Sequence, residues 1–203
     1  MSWGALFERA PETVTIAEIR SALAEHRAET AANEETDAQS TVDEPPEPSP
    51  TRVVADADVL AADCCLDGPS RAVLDELYAH SWMTLVASDR LLADAECVIA
   101  SVASQSLADE WREQIDGWRQ RVDHPAGDQP AVGSAYRGGA MQLLSFDDTL
   151  TSSAAGTALN KHVPISVRQP DAFRLLFDAE SLYATTHDEP YPGPDRRRRD
   201  DDS

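Results

Sequence analysis

Apolar residues recur at helical spacing over residues 13–30, "TVTIAEIRSALAEHRAET", where Ile16, Ile19, Ala22 and Leu23 fall on one face. Thr15 and Glu18 stand at capping-box spacing ahead of that face. A helix this short is marginal alone, so it is expected to dock on the main domain or on a partner. Residues 31–51 hold no large apolar residue except Val42 and read as a flexible linker rich in Pro, Glu, Ser and Thr. From residue 52 to about 185 the pattern alternates. "RVVADADVLAA" reads as a strand and "SRAVLDELYAHS" as a helix with Ser70 as a possible cap. "MTLVAS" reads as a strand, and "DRLLADAECVIASV" as a helix striped by Leu91, Leu92, Ala95, Val98, Ile99 and Val102. "LADEWREQIDGWRQRV" gives another helix, with Trp111, Ile115 and Trp118 on one face. "DQPAVGSAYRGG" predicts a short helix entered through Asp128 with Pro130 in its first turn. "AMQLLSF" is a strand, and "ISVRQPDAFRLLFDAESLYA" a short strand and a helix capped near Asp171. Strands alternating with helices predict an α/β fold: a three-layer α/β/α sandwich around a mostly parallel sheet. Residues 186–203 read as a disordered, charged tail in which Asp200 to Asp202 offset Arg196 to Arg199.

Composition narrows this picture. The chain has 203 residues and 41% hydrophobic content, enough for one sizeable core with appendages. No apolar run approaches the roughly 20 residues of a membrane span, and the start "MSWGALFERAPE" lacks a secretory pattern, so a cytoplasmic protein is expected. Cys64, Cys65 and Cys97 make neither a disulfide framework nor a zinc motif and read as small core residues. The formal net charge is −20, with Lys161 the one lysine. That excess suggests adaptation to high salt, as in a salt-loving archaeon, because at 1 M salt the Debye length is only about 3 Å. It therefore counts only weakly against a nucleic-acid partner.

Several acids fall where such a fold carries its chemistry, beyond the carboxyl ends of the strands. Asp56 and Asp58 close the first strand, Asp147 and Asp148 follow "QLLSF", Asp94 lies in a helix after the second strand, and Asp128 opens another helix. Taken singly, each is surface charge or a helix cap. Gathered in one cleft, they would raise one another's pKa unless a divalent cation compensated. Oxygen-only ligation suits Mg²⁺ or Mn²⁺, and His124 is the only histidine in these segments. Such a site can assist phosphodiester hydrolysis. "YRGGAM" lacks the Lys-Ser/Thr of a P-loop, and no Ser/His/Asp elbow occurs.

In order, these segments resemble the PIN domain family. "VVADADVLAAD" is similar to its opening strand ending in D-x-[ND]-V-L, and "LVASDRLLADAECVI" to its second motif. "GDQPAVGSAYRGGAMQLLSFDDTL" resembles its final pair of motifs, and "VPISVRQPDAFRLL" its closing strand and helix. The resemblance covers residues 52–185. It implies a metal held by Asp56, Asp94, Asp128 and Asp147; many members have Glu where Asp94 stands, so the shorter side chain calls for a bridging water. It gives Asp58 a supporting role, lets Asp148 replace Asp147 if the register shifts by one, and makes Ser145 a hydroxyl that orients the cleft. Arg90 and Arg137 become phosphate contacts, with surface ion pairs as the plain alternative. Members are typically Mg²⁺- or Mn²⁺-dependent single-strand ribonucleases; many are toxins of toxin–antitoxin pairs, and others act in RNA maturation and surveillance. The resemblance thus implies RNA as substrate, an antitoxin-like protein as partner, and a homodimer, with the Trp111/Trp118 helix as one surface and core packing as its alternative. A PIN-like interaction module with reduced catalysis, and a different phosphotransfer or hydrolase activity on the same plan, remain open beside the ribonuclease. The tethered N-terminal helix points to self-masking or oligomerisation.

Overall fold

The computed structural model describes residues 2–33, 44–125, 127–152 and 164–199. Helices α1 (Trp3–Phe7) and α2 (Ile16–Asn33) precede the alternating unit. It then runs β1 (Ser49–Ala55), α3 (Ala57–Cys65), α4 (Pro69–Tyr78), β2 (Thr84–Ser88), α5 (Asp89–Val102), α6 (Gln105–Asp116) and β3 (Gln120–Val122). It continues through α7 (Pro130–Gly138), β4 (Ala140–Leu144), α8 (Asp148–Thr151), β5 (Ser166–Arg168), α9 (Pro170–Leu176) and α10 (Ala179–Thr186). The five strands pair in parallel in the order β3-β2-β1-β4-β5, giving the three-layer α/β/α fold that the alternation predicts. β1 is central, with Val53 opposite Leu85 on one side and Val54 opposite Leu143 on the other. Val53, Val54 and Ala55 are buried, as a strand covered on both faces requires. From β1 the chain winds out through β2 to β3, then returns to the other side for β4 and β5. The direction switches between β1 and β4, so a crevice opens at their carboxyl ends.

The stripe Leu91, Leu92, Ala95, Val98 and Ile99 of α5 is buried in the core. α7 comes so close to β2 that a Cβ on Gly138 would stand 2.3 Å from Val86 Cγ1. Gly139 closes α7 at φ +61°, a left-handed conformation that glycine adopts without penalty, and turns the chain into β4. Among the described residues, no helix is long and apolar enough to cross a membrane.

Several local expectations change. The strand expected over "RVVADADVLAA" stops at Ala55, because the Asp56 side chain accepts from Ala57 N and starts a helix there. Gly68, not Ser70, precedes α4, whose first residue is Pro69. The helix expected to reach Val122 ends at Asp116, and Gln120–Val122 forms the edge strand β3, too short to show a period. Gln129 rather than Asp128 caps α7, its side chain accepting from Val132 N. The last helix is two, broken after Leu176 and restarted by the Asp178 cap. Much of the linker, residues 34–43, lies outside the described residues, but Ser49–Thr51 already belong to β1. Cys64 and Cys65 are buried as expected, whereas Cys97 is exposed. Trp111 is fully buried, which satisfies the core reading of its helix.

The tail departs most from expectation. Asp195 N and Arg196 N donate to Ala79 O, and Arg199 is completely buried. Its guanidinium donates to both Asp63 oxygens at 2.7 and 2.9 Å and to Asp75 at 2.7 Å, against the Trp3 ring. Asp200 to Asp202, expected to offset the arginines, lie outside the described residues; Asp63 and Asp75 perform that role for Arg199.

Candidate functional site

β1 delivers Asp56 directly into the crevice. Its backbone N–H donates to Leu144 O, at the end of β4, at 2.8 Å, so the two central strands fix its position. The side chain is fully buried: Oδ1 accepts from Ala57 N at 2.8 Å and Oδ2 from Ser145 Oγ at 3.0 Å. Ser145 Oγ accepts in turn from Asp147 N, so one hydroxyl links the Asp56 carboxylate to the Asp147 backbone. Asp58 follows in the first turn of α3 and is 2% exposed. Its Oδ2 accepts from Phe146 N at 3.1 Å, while Oδ1 is buried and has no hydrogen-bond partner among the described residues. Desolvation, reinforced by the neighbouring Asp56 carboxylate, pushes the Asp58 pKa up to about 8. Asp94 reaches the same place from α5, on the turn between Leu91 and Val98, and is 5% exposed.

Arg27 joins these acids. Its Nε donates to Asp94 Oδ2 and its Nη2 to Asp56 Oδ1, each at 2.9 Å, so one guanidinium bridges two buried carboxylates. Both acids raise the Arg27 pKa against the opposing effect of its own burial. His26 Nε2 lies 3.4 Å from Asp94 Oδ1. Beside Arg27 is a cavity of about 300 Å³ lined by Arg20, Leu23, Ala24, Arg27, Asp58 and Asp147. No sequence motif points to Arg20, His26 or Arg27. Their signal was available: Arg20 and Arg27, seven residues apart, share a helix side with Ile19 and Leu23.

The other expected residues are dispersed. Asp147 lines the cavity but also caps α8, its Oδ1 accepting from Thr149 N and Oγ1. Asp148 is exposed and pairs with Arg20 at 3.2 Å. Asp128 is exposed on the turn before α7; it follows β3 on the crevice side of the sheet but is not among the residues lining the cavity. Arg90, half-buried in the first turn of α5, is on the crevice side as well. Arg137 is not. It lies in the last turn of α7, where Arg52, near the start of β1, reaches Gly138 O. That is the amino edge of the sheet, because α7 runs back along the strands, and a phosphate in the crevice is out of its reach.

The donor chemistry fits a hard divalent cation: buried carboxylates and one buried oxygen without a partner. The positive charge now among them is that of Arg27. Among the described residues, no three acidic, histidine or cysteine side chains are arranged to hold a metal ion. A larger cavity, about 330 Å³, lies by the β5 edge between Arg168, Phe173 and Leu182, among other residues than these acids.

No curated protein and no solved structure matches this chain. A family model does match, over residues 47–199, so that it takes in the whole sheet, the crevice acids Asp56, Asp58, Asp94 and Asp147, and the buried Arg199. The chain belongs to DUF7384, a family of unknown function.

Proposed function

We propose that this chain is a Mg²⁺- or Mn²⁺-dependent endoribonuclease of PIN-like design that hydrolyses phosphodiesters of single-stranded RNA. The observation that supports it is the burial of Asp56, Asp58 and Asp94 together at the β1/β4 crevice, with one carboxylate oxygen of Asp58 unpartnered. Asp56, Asp94 and Asp147 would hold the metal, with Asp58 beside them; Asp128, exposed on the turn before α7, stands outside that group. A divalent cation supplies the charge that lets the acids ionise together and Lewis acidity toward water and phosphate. Ser145 fixes the Asp56 carboxylate, and Phe146 N–H holds one oxygen of Asp58, leaving Oδ1 as the atom able to take up a proton. Arg90 is the remaining candidate for a phosphate contact. RNA is the partner in this reading, a cytoplasmic setting suits it, and an antitoxin-like protein and a second copy of the chain are further proposed partners.

The test is Mn²⁺ binding by calorimetry in multimolar KCl, with cleavage of single-stranded RNA by wild type and Asp56→Asn. Metal binding is expected, with cleavage at least about a hundredfold slower in the variant, the scale of several kcal/mol of lost charge stabilisation. Folded protein showing neither signal overturns the proposal. It would leave a second reading, an interaction module of reduced catalysis, which the pairing of Arg27 with both Asp56 and Asp94 favours.

A further inference from the structure

We propose that α2 is a built-in plug of the acidic crevice, in which Arg27 and a divalent cation compete for the same two carboxylates. This rests on the metal-dependent reading above and concerns the regulation of that site. Arg27 spans Asp56 and Asp94 with separate nitrogens of one planar group, each at 2.9 Å. Those oxygens are the ones a metal would need. Asp58 supplies the independent observation that the site is short of positive charge: nearly completely buried, it lines the cavity beside Arg27 with Oδ1 unpartnered. One guanidinium brings one charge to three buried acids, whereas a divalent ion brings two.

The seat of α2 is suited to release. Ile19 and Leu23 form its buried anchors, and α2 packs on α3 and α5, the helices that carry Asp58 and Asp94. Arg20 reaches Asp148 at the rim through a pair exposed on both sides, which contributes little to holding the helix. α2 also lies outside the stretch matched by the family model, which begins at residue 47. The plug is covalently tethered to the crevice and so present at high effective concentration. A metal that binds only when α2 is away has its apparent affinity reduced by the fraction of time the crevice is open.

The experiment uses the full chain as wild type, Arg27→Gln and Ile19→Asn, the last detaching α2 through its fully buried apolar anchor, which does not line the cavity, without touching or adding an acid. Mn²⁺ affinity is read by calorimetry, and hydrogen exchange of residues 16–33 is read with and without Mn²⁺. Both variants are expected to bind Mn²⁺ at least about tenfold more tightly than wild type, which corresponds to about 1.4 kcal/mol. In wild type, Mn²⁺ is expected to speed exchange along α2. If Mn²⁺ binds wild type and both variants with equal affinity and leaves α2 protected, the plug is overturned while the metal site survives. If Mn²⁺ binds none of the three, the metal-dependent reading fails and the competition falls with it. Should Arg27→Gln not fold, Ile19→Asn decides between the same outcomes.

Discussion

Asp58 is held in conflict with its surroundings. Its pKa of about 8 against an ordinary 3.8 means that, between those values, the folded chain keeps a proton that the unfolded chain has released. The folded state is then favoured below the lower value and loses that advantage as pH rises toward 8. In chelator, wild type is expected to have a lower urea midpoint at about pH 8 than at about pH 5 on this account, and Asp58→Asn to flatten that difference. An unchanged slope in the variant would place the dependence elsewhere. Residues of this kind were only partly legible in the sequence. Asp56, Asp58 and Asp94 were found because their positions follow strands, and position in an α/β fold is a property of order along the chain. Arg27 was missed because an arginine on an amphipathic helix looks like a solvated face until the helix is docked. Asp128 shows the converse: a motif position marks where an acid falls in sequence, and the loop that carries it decides where the carboxylate goes.

Elements were more legible than contacts. β2 and α5 are found where apolar spacing puts them, since period and propensity agree over long segments there. Pattern failed where a side chain overrode it: Asp56 converted an expected strand end into a helix start, and three residues sufficed for β3. The capping box at the start of α2 is formed in full, with Thr15 N donating to Glu18 Oε2 at 2.9 Å and Glu18 N to Thr15 Oγ1 at 3.3 Å. Thr15→Ala is expected to remove about 1 kcal/mol from that end of α2. Amide exchange over the first turn, residues 16–19, should rise roughly fivefold, while exchange in α5 stays unchanged. Faster exchange in both helices would mean that α2 and α5 open as one unit.

At the scale of the molecule, a clasp holds the tail to the helical layer. Arg199 and Asp63 are both fully buried, and Arg199 also binds Asp75. Such a pair owes its stability to completion: removing one partner strands the other charge away from water. Arg199→Met is expected to lower stability by about 3–5 kcal/mol in urea unfolding, and Asp63→Leu in the same chain to restore part of it. A variant as stable as wild type would show that the tail does not hold this place in solution. Composition alone gave no hint of the clasp, because four arginines followed by acids have the signature of a solvated tail, and only the interior shows that one of them has entered it.

The central strand has a consequence for how the molecule comes together. β1 needs a neighbour on each side, and the contact from Ser145 to Asp56 joins positions 89 residues apart. Closing so long a loop is slow, so a chain on its way to the native state holds these acids in water until β4 arrives. Docking of β4 brings Phe146 N–H onto Asp58, and the burial that goes with it strengthens this carboxyl's hold on a proton. In the absence of a bound cation, assembly of the crevice is thereby a proton-consuming event between about pH 4 and pH 8, and its equilibrium shifts with the acidity of the surroundings.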